Sequence, residues 1–237
     1  MSAILPLQVR GLTFRVNGRV LLDGVSFDVE PRRCTVLMGA NGAGKSLTLR
    51  LLHGLDRPSA GASRWLGPKA ADARQHQAMV FQRPILLRRS AGANIDYALS
   101  VRGIARGGRP ARVAEALEQV GLAGFEHRHA RALSGGERQL LALARASALN
   151  PEVLFLDEPT ASLAPAAAKR VEQAIAAIHA AGTAIVMATH DVGQARRLAD
   201  EILFLHEGRL VERAETARFF AAPQSREARA YLGGELL

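Results

Sequence analysis

Residues 39–46 read Gly39-Ala40-Asn41-Gly42-Ala43-Gly44-Lys45-Ser46. They follow the apolar run CTVLM and precede SLTLRLLHGL, whose apolar residues recur at helical spacing until Gly54 and Pro58. Strand, glycine-rich loop and helix in this order form a phosphate-binding loop, because glycines let successive amide N–H groups face a phosphate and the helix adds its positive end. The pattern predicts that Lys45 reaches the β- and γ-phosphates of a nucleotide and that the Ser46 hydroxyl ligates Mg²⁺.

A pair of acids follows a second apolar run. Residues 153–156 lead directly into Asp157 and Glu158, and a buried strand presents such acids in the crevice where open α/β sheets bind ligands. We expect Asp157 to hold the magnesium shell and Glu158 to polarise an attacking water. An isolated acidic pair at a strand end often faces solvent, so the assignment depends on its combination with the phosphate loop.

A second glycine-rich segment, Leu133-Ser134-Gly135-Gly136-Glu137, opens the helical run RQLLALARASAL. Ser-Gly-Gly at a helix start forms another anion-binding nest, and Ser134 can cap the helix. An ordinary helix cap after a turn explains the same residues, so the pattern leaves both interpretations open. Two nests in one chain suggest a shared nucleotide.

The LSGGE stretch is similar to the signature motif of ABC-type (ATP-binding cassette) ATPases, and it stands between phosphate loop and acidic strand as in that family. Gln82 in VFQRP resembles the Q-loop glutamine, and His190 in ATHD resembles the switch histidine. Taken alone, Gln82 would be an ordinary loop residue and His190 a surface histidine. Five motifs in the family's order make the chain resemble an ABC ATPase over about residues 7–212.

The resemblance implies a homodimer arranged head to tail. ATP on the phosphate loop of one subunit would be covered by Ser134, Gly135 and Gly136 of the other. Binding would close the pair and hydrolysis would reopen it, so that transport is driven by a population shift between two dimer states.

The resemblance also implies the roles of the remaining motifs. Gln82 would sense Mg²⁺ and the attacking water, so that Ser46, Gln82 and Asp157 surround the metal, and His190 would contact the γ-phosphate. Residues 83–90 and the adjoining helical segment would receive a coupling helix from a permease. ATP and Mg²⁺ are therefore the expected cofactors.

The order of patterns predicts an α/β fold: a P-loop NTPase (RecA-like) core with a parallel sheet, an antiparallel β subdomain and an inserted α-helical subdomain. LQVRGLTFRV and VLLDGVSFDV flank the turn Asn17-Gly18, which predicts two paired antiparallel strands. VLFLD, TAIVMAT and EILFLHEGRLV predict later strands, with a helix near 166–180. We expect one domain, with a nucleotide-binding core and β subdomain (1–83 and 150–214), a helical subdomain (84–149) and a C-terminal tail (215–237) too short for another domain.

Composition limits the class of protein. With 237 residues, of which 48% are hydrophobic, the chain can bury a full core. No window has the roughly 18 consecutive apolar residues of a membrane-spanning helix, and the start lacks a signal-peptide pattern, so we expect a cytoplasmic protein. Cys34 is the only cysteine and is predicted to be a small buried residue.

The net charge of +9 raises the question of nucleic-acid binding. The arginines are scattered or spaced along predicted helices, without aromatic interleaving or a compact basic run. We therefore expect no nucleic-acid partner, and a solvated surface attracted to anionic headgroups or acidic partner loops instead.

The absence of a fused membrane segment favours an importer. We expect permease subunits on other chains, a periplasmic or extracellular solute-binding protein, and a peripheral location on the inner face of the membrane. Soluble ABC proteins of translation or DNA repair are the alternative class, but they usually carry two cassettes or a long coiled-coil insertion. For cargo, MVFQRPILLRRSAGANIDYAL and YLGGELL resemble tungstate importers, followed by other oxyanion and polar amino acid importers.

The chain departs from the family pattern at three positions. Val16 stands where relatives have an aromatic ring that stacks on adenine, and Phe14, two residues earlier on a strand, should share its face. Leu47 replaces a second hydroxyl that often touches the α-phosphate. Ala164 replaces an aspartate that usually reaches the partner's phosphate loop. We expect weak base selectivity, slow basal hydrolysis and low cooperativity.

Overall fold

The computed structural model describes residues 2–235, whose regular elements are strands in two sheets and eight α-helices. The strands are β1 (Leu7–Val16), β2 (Arg19–Val29), β3 (Cys34–Met38), β4 (Ala60–Trp65), β5 (Gln77–Val80), β6 (Val153–Asp157), β7 (Ala184–Ala188), β8 (Glu201–His206) and β9 (Arg209–Glu215). The helices are α1 (Lys45–His53), α2 (Ala91–Val101), α3 (Arg109–Gln119), α4 (Gly135–Ser147), α5 (Pro165–Ala180), α6 (Val192–Leu198), α7 (Thr216–Ala221) and α8 (Arg226–Leu232). Short 3-10 helices lie at Ala70–Gln75, Arg106–Gly108 and Ala130–Ala132.

The larger sheet has six strands in the order β5-β6-β7-β3-β8-β9. All neighbours run parallel except the last pair, β8 and β9. Both faces are covered, since Val36 and Met38 pack into one apolar cluster while Leu37 between them packs into the other. This burial explains why the central strands are continuous apolar runs. The predicted parallel α/β core is confirmed.

The smaller sheet is antiparallel, in the order β2-β1-β4. The predicted hairpin is present, and its turn residues Asn17 and Gly18 both have positive φ angles, of 49° and 78°, as the tightest hairpin turns require. The sequence patterns did not predict strands β4 and β5. The first, AGASRW, is a partly exposed edge strand with small residues, and the second, QAMV, is only four residues long.

Between residues 84 and 149 the chain forms α2, α3 and α4 and no strand, as its composition predicted. Their buried residues, among them Ile95, Leu117 and Leu141, belong to the same apolar cluster as one face of the large sheet. Among residues 2–235, no helix has the length and apolar character that crossing a membrane would require.

Cys34 lies in the middle of this core. Its side chain is almost fully buried on β3, and burial raises the pKa of the thiol to about 12, with the charge of Asp200 contributing. The thiol therefore stays protonated, and the prediction of a small buried residue is confirmed.

The C-terminal tail folds back onto the core. It forms α7 and α8, and Phe219 and Tyr231 pack beside Phe204 of β8, at ring-centroid distances of 5.9 and 5.3 Å. Although too short for a domain of its own, the tail is thus an integral layer of the fold.

Candidate active site

Four predicted site segments follow four neighbouring strands. Gln82 comes after β5, Asp157 and Glu158 stand at the end of β6, His190 comes after β7, and residues 39–44 come after β3. These strands are adjacent and parallel, so their carboxyl ends meet at one edge of the sheet, where open α/β sheets bind ligands.

The loop before α1 requires glycine for steric reasons. Gly39 has φ of 147°, and a Cβ atom there would lie 2.1 Å from the carbonyl oxygen of Leu205. Gly44, the N-cap of α1, has φ of 100°, and a Cβ atom would lie 2.6 Å from Leu22. Packing against the Leu205 backbone and the Leu22 side chain thus leaves no room for a side chain at Gly39 or Gly44, whose φ angles also favour glycine.

Lys45 folds back over this loop. Its Nζ donates to the carbonyl oxygens of Gly39 and Ala40, at 2.8 and 3.0 Å, and lies 3.7 Å from Oε1 of Glu158. Burial lowers the pKa of Lys45, while the neighbouring Glu158 acts in the opposite direction. The Lys45 ammonium group is therefore held between the loop carbonyl oxygens and the Glu158 carboxylate.

Glu158 occupies a constrained position directly after β6. Its φ of 48° lies in the left-handed region, which is costly for a residue with a side chain, and its N–H donates to Ala188 of β7. The side chain is only 11% exposed, and Oε2 lies 2.7 Å from Nδ1 of His190. The backbone turn thus holds the carboxylate between Lys45 and His190.

Asp157 and Ser46 present oxygen atoms side by side. The Ser46 hydroxyl donates to Oδ1 of Asp157 at 2.6 Å. Burial raises the pKa of Asp157, and the Ser46 hydrogen bond partly opposes that effect. The residues fit Mg²⁺, which prefers hard oxygen ligands and usually takes one or two carboxylates together with substrate phosphates. Within residues 2–235, no group of three or more His, Cys, Asp or Glu side chains suits an all-protein metal site.

Gln82 lies on an exposed segment with Phe81 and Arg83. Its carboxamide makes no hydrogen bond to other described residues. Farther along the segment, Nη1 of Arg145 donates to the carbonyl oxygen of Ile85 at 2.9 Å. Since Arg145 belongs to α4, the segment after β5 is tied to the helix that begins at the LSGGE stretch.

Ser134 caps α4, as predicted. Its hydroxyl accepts from the Glu137 N–H at 3.3 Å, and Glu137 accepts from the Ser134 N–H at 2.8 Å, which completes a capping box. Gly136 packs against α5, where a Cβ atom would lie 2.7 Å from that of Ala167, whereas Ser134 and Gly135 are exposed. No hydrogen bond between described residues joins 134–136 to 39–46.

The unusual positions have distinct surroundings. Phe14 is half-buried against the core, whereas Val16 is 44% exposed beside the hairpin turn. Phe14 is thus covered by neighbouring residues, whereas Val16 at the end of β1 is open to solvent. Leu47 packs against the same core as Phe14. Ala164 is the N-cap of α5 and provides no side-chain hydrogen bond.

One contact at the site, between Tyr231 and His190, was not predicted from the sequence. The hydroxyl of Tyr231 donates to the carbonyl oxygen of His190 at 2.8 Å. The two residues are 41 positions apart, and no motif in the tail indicates the contact, which arises only because α8 packs back onto β8.

Comparison with known proteins shows the family to which the chain belongs. The family model described as "ABC transporter" matches residues 22–161. A phosphate import ATP-binding protein of Natronomonas pharaonis is 37% identical over 98% of this chain and 87% of its own length. A tungstate uptake system ATP-binding protein of Peptoclostridium acidaminophilum is 37% identical over 87% of this chain and 97% of its own length.

Other similar proteins differ in cargo or have known structures. An L-cystine transport system ATP-binding protein of Escherichia coli is 34% identical over 100% of both chains. A solved structure, a dimeric ATP-binding cassette in a post-hydrolysis state with ADP and phosphate, superposes with a TM-score of 0.76. It is 25% identical over 89% of this chain and 98% of its own.

Proposed function

Because this chain belongs to the ABC transporter family, as an ATP-binding subunit of the importer type, we propose that it powers uptake of a small oxyanion. It is an ATPase of that family. In the proposal it works as a homodimer on the inner face of the membrane, beneath separate permease subunits that receive cargo from a solute-binding protein. The observation that carries the catalytic part is the position of Glu158 between Lys45 and His190.

ATP binding begins at the phosphate loop. Amide groups of residues 39–44 and the N-terminus of α1 cradle the phosphates. Lys45 exchanges its bonds to the loop carbonyls for bonds to the β- and γ-phosphates, so its charge stays compensated. Ser46 and Asp157 hold Mg²⁺, which neutralises phosphate charge when bound, and Gln82 approaches this position from the exposed segment.

Hydrolysis adds a water oxygen to the γ-phosphorus while the bond to the bridging β–γ oxygen breaks. Glu158 accepts a hydrogen bond from this water and orients it. The carboxylate is nearly buried and is held by His190 on one oxygen, so it needs little reorganisation. Nε2 of His190 makes no hydrogen bond to the described residues, and the ring is 50% exposed, which leaves it open to a γ-phosphate oxygen.

The signature residues act on the partner subunit. Ser134 and Gly135 are exposed at the start of α4, and no hydrogen bond among the described residues joins them to their own phosphate loop. In a head-to-tail homodimer, the N-terminus of α4 with Gly136 covers the nucleotide of the other subunit. This arrangement uses both nests and explains why each chain carries two.

The permease-facing surface is formed by the segment after β5 and the adjoining helical segment. Phe81 and Ile85 are exposed there by 41% and 79%, and apolar residues exposed to this degree suit a protein partner. Through the Arg145 bond to Ile85, movement of a coupling helix on this surface reaches α4 and hence Ser134. The geometry supports a mechanical link from permease to nucleotide.

The oxyanion cargo rests on resemblance, since the ATPase subunit does not contact cargo. The named cargoes of two similar proteins, phosphate and tungstate, are oxyanions, and the sequence around Gln82 resembles tungstate importers. The cystine relative makes amino acids the competing class.

The test is purification of the chain with its membrane partners from native membranes, followed by reconstitution in liposomes with the co-purifying solute-binding protein. We expect tungstate or phosphate to stimulate ATP hydrolysis and cystine or methionine to have no effect. Stimulation by an amino acid alone would overturn the oxyanion assignment. Recovery with ribosomes or DNA, and without an integral membrane protein, would overturn transport itself.

A further inference from the structure

The backbone around His190 is held on both sides of the imidazole. Before it, the Thr189 N–H donates to Leu37 of β3 at 3.1 Å. After it, the Asp191 side chain caps α6 by accepting from the Gln194 N–H at 2.8 Å. The carbonyl group of His190 itself is bound by the Tyr231 hydroxyl, so the tail reaches the residue that contacts Glu158.

Tyr231 is itself rigidly placed. Its side chain is 8% exposed and its ring packs on Phe204 at 5.3 Å. Burial raises the pKa of Tyr231 to about 12, with the charges of Glu158 and Asp191 contributing. The hydroxyl therefore remains a hydrogen-bond donor throughout the physiological pH range.

The start of α8 is anchored to β9 by one buried carboxylate. Glu212 accepts from the Gln224 N–H at 2.9 Å and from both the N–H and the hydroxyl of Ser225 at 2.8 Å. Ser225 in turn caps α8 by accepting from Ala228. A carboxylate with three donors is a strong attachment, so Tyr231 approaches His190 from a fixed direction.

We propose that Tyr231 is a positioning residue for hydrolysis, through which the C-terminal helix α8 holds the His190 peptide and keeps the imidazole aimed at Glu158. The proposal rests on the role given to His190 above. The ring of His190 is half-exposed, and among residues 2–235 its one ion-pair partner is Glu158, so the orientation of the ring depends on the backbone. Without the hydroxyl, the His190–Asp191 peptide keeps only the bond from its N–H to Oγ1 of Thr189, and the contact with Glu158 is populated for a smaller fraction of time.

The first test compares Tyr231→Phe with Phe219→Leu in the full chain. Phe219 belongs to the same aromatic cluster but lies in α7 and donates no hydrogen bond. We expect Tyr231→Phe to lower kcat by about threefold to tenfold, the effect of one hydrogen bond, with KM for ATP unchanged. Phe219→Leu should lower Tm at least as much and leave kcat near wild type. If Tyr231→Phe and Phe219→Leu lowered Tm equally and also lowered kcat equally, the proposal would be overturned.

The second test is a double-mutant cycle with His190→Ala. If Tyr231 acts through His190, Tyr231→Phe should have no further effect in the His190→Ala chain. The same fold-loss in both backgrounds would overturn the proposal. If Tyr231→Phe hydrolyses ATP at the wild-type rate while His190→Ala is slow, this inference alone is overturned. A wild-type rate for His190→Ala would overturn the role of His190 in the proposed function, and this inference with it.

Discussion

One oxygen of Glu158 lies 2.7 Å from Nδ1 of His190, although the two residues stand 32 positions apart on neighbouring strand ends. The other oxygen lies 3.7 Å from Lys45. A carboxylate held on both oxygens is pre-oriented before water arrives, and this relationship leads to the first prediction.

Glu158→Gln retains the shape of the side chain and removes its charge. We expect ATP hydrolysis to fall by about 10²- to 10⁴-fold, while ATP affinity stays similar. Loss of a negative charge near the γ-phosphate should also ease closure, so the variant should accumulate as an ATP-bound dimer in size-exclusion chromatography. Lys45→Ala is the control, expected to bind ATP poorly and to remain monomeric. Near-wild-type hydrolysis by Glu158→Gln would contradict the assignment.

Base selectivity should be weak because Val16, rather than an aromatic ring, stands beside the hairpin turn. Competition binding should show appreciable GTP use alongside ATP, and Val16→Tyr should raise ATP affinity by about threefold to tenfold, the value of one stacking contact. Any residual stacking comes from Phe14. A strong ATP preference that survives Phe14→Ala would argue against this account.

Ala164 should limit communication between the two nucleotide sites. We expect Ala164→Asp to raise both the hydrolysis rate and the Hill coefficient for ATP. Because Ala164 is the N-cap of α5, the substitution should also stabilise the fold by about 1 kcal/mol. Ala164→Asn is the matched control, since it restores a cap without the charge. A Hill coefficient near two in the wild-type chain, unchanged by Ala164→Asp, would refute the prediction.

The buried carboxylate of Asp157 should lower the stability of the folded chain at neutral pH. Its pKa is raised in the folded state, so the folded chain binds the proton more tightly than the unfolded chain does, and stability falls as pH rises through the folded pKa. Asp157→Asn should therefore raise Tm by a few degrees at pH 8 and by less at pH 4, while hydrolysis is lost. Asp72→Asn, which removes a carboxylate at an exposed position, is the control and should leave Tm nearly unchanged. A Tm difference for Asp157→Asn that is equal at both pH values would contradict the burial argument.

In strands β4 and β5, tertiary contacts rather than the local sequence pattern define the structure. The edge strand β4 has neither alternation nor β-branched residues, so its strand character comes from pairing with β1. The four residues of β5 are too few for a periodic signal, and pairing with β6 defines them.

The sequence by itself determined the phosphate loop, the acidic strand end, the helix cap at Ser134 and the parallel α/β core. These features depend on local chemistry: glycines that permit a tight loop, apolar runs of strand length, and a serine followed three residues later by glutamate. Only the tertiary structure decided that Glu158 lies between Lys45 and His190, and that Tyr231 reaches the His190 carbonyl. These contacts arise from the order of β6, β7 and β3 across the sheet and from the packing of α8 on β8. Neither arrangement can be read from the spacing of residues along the chain.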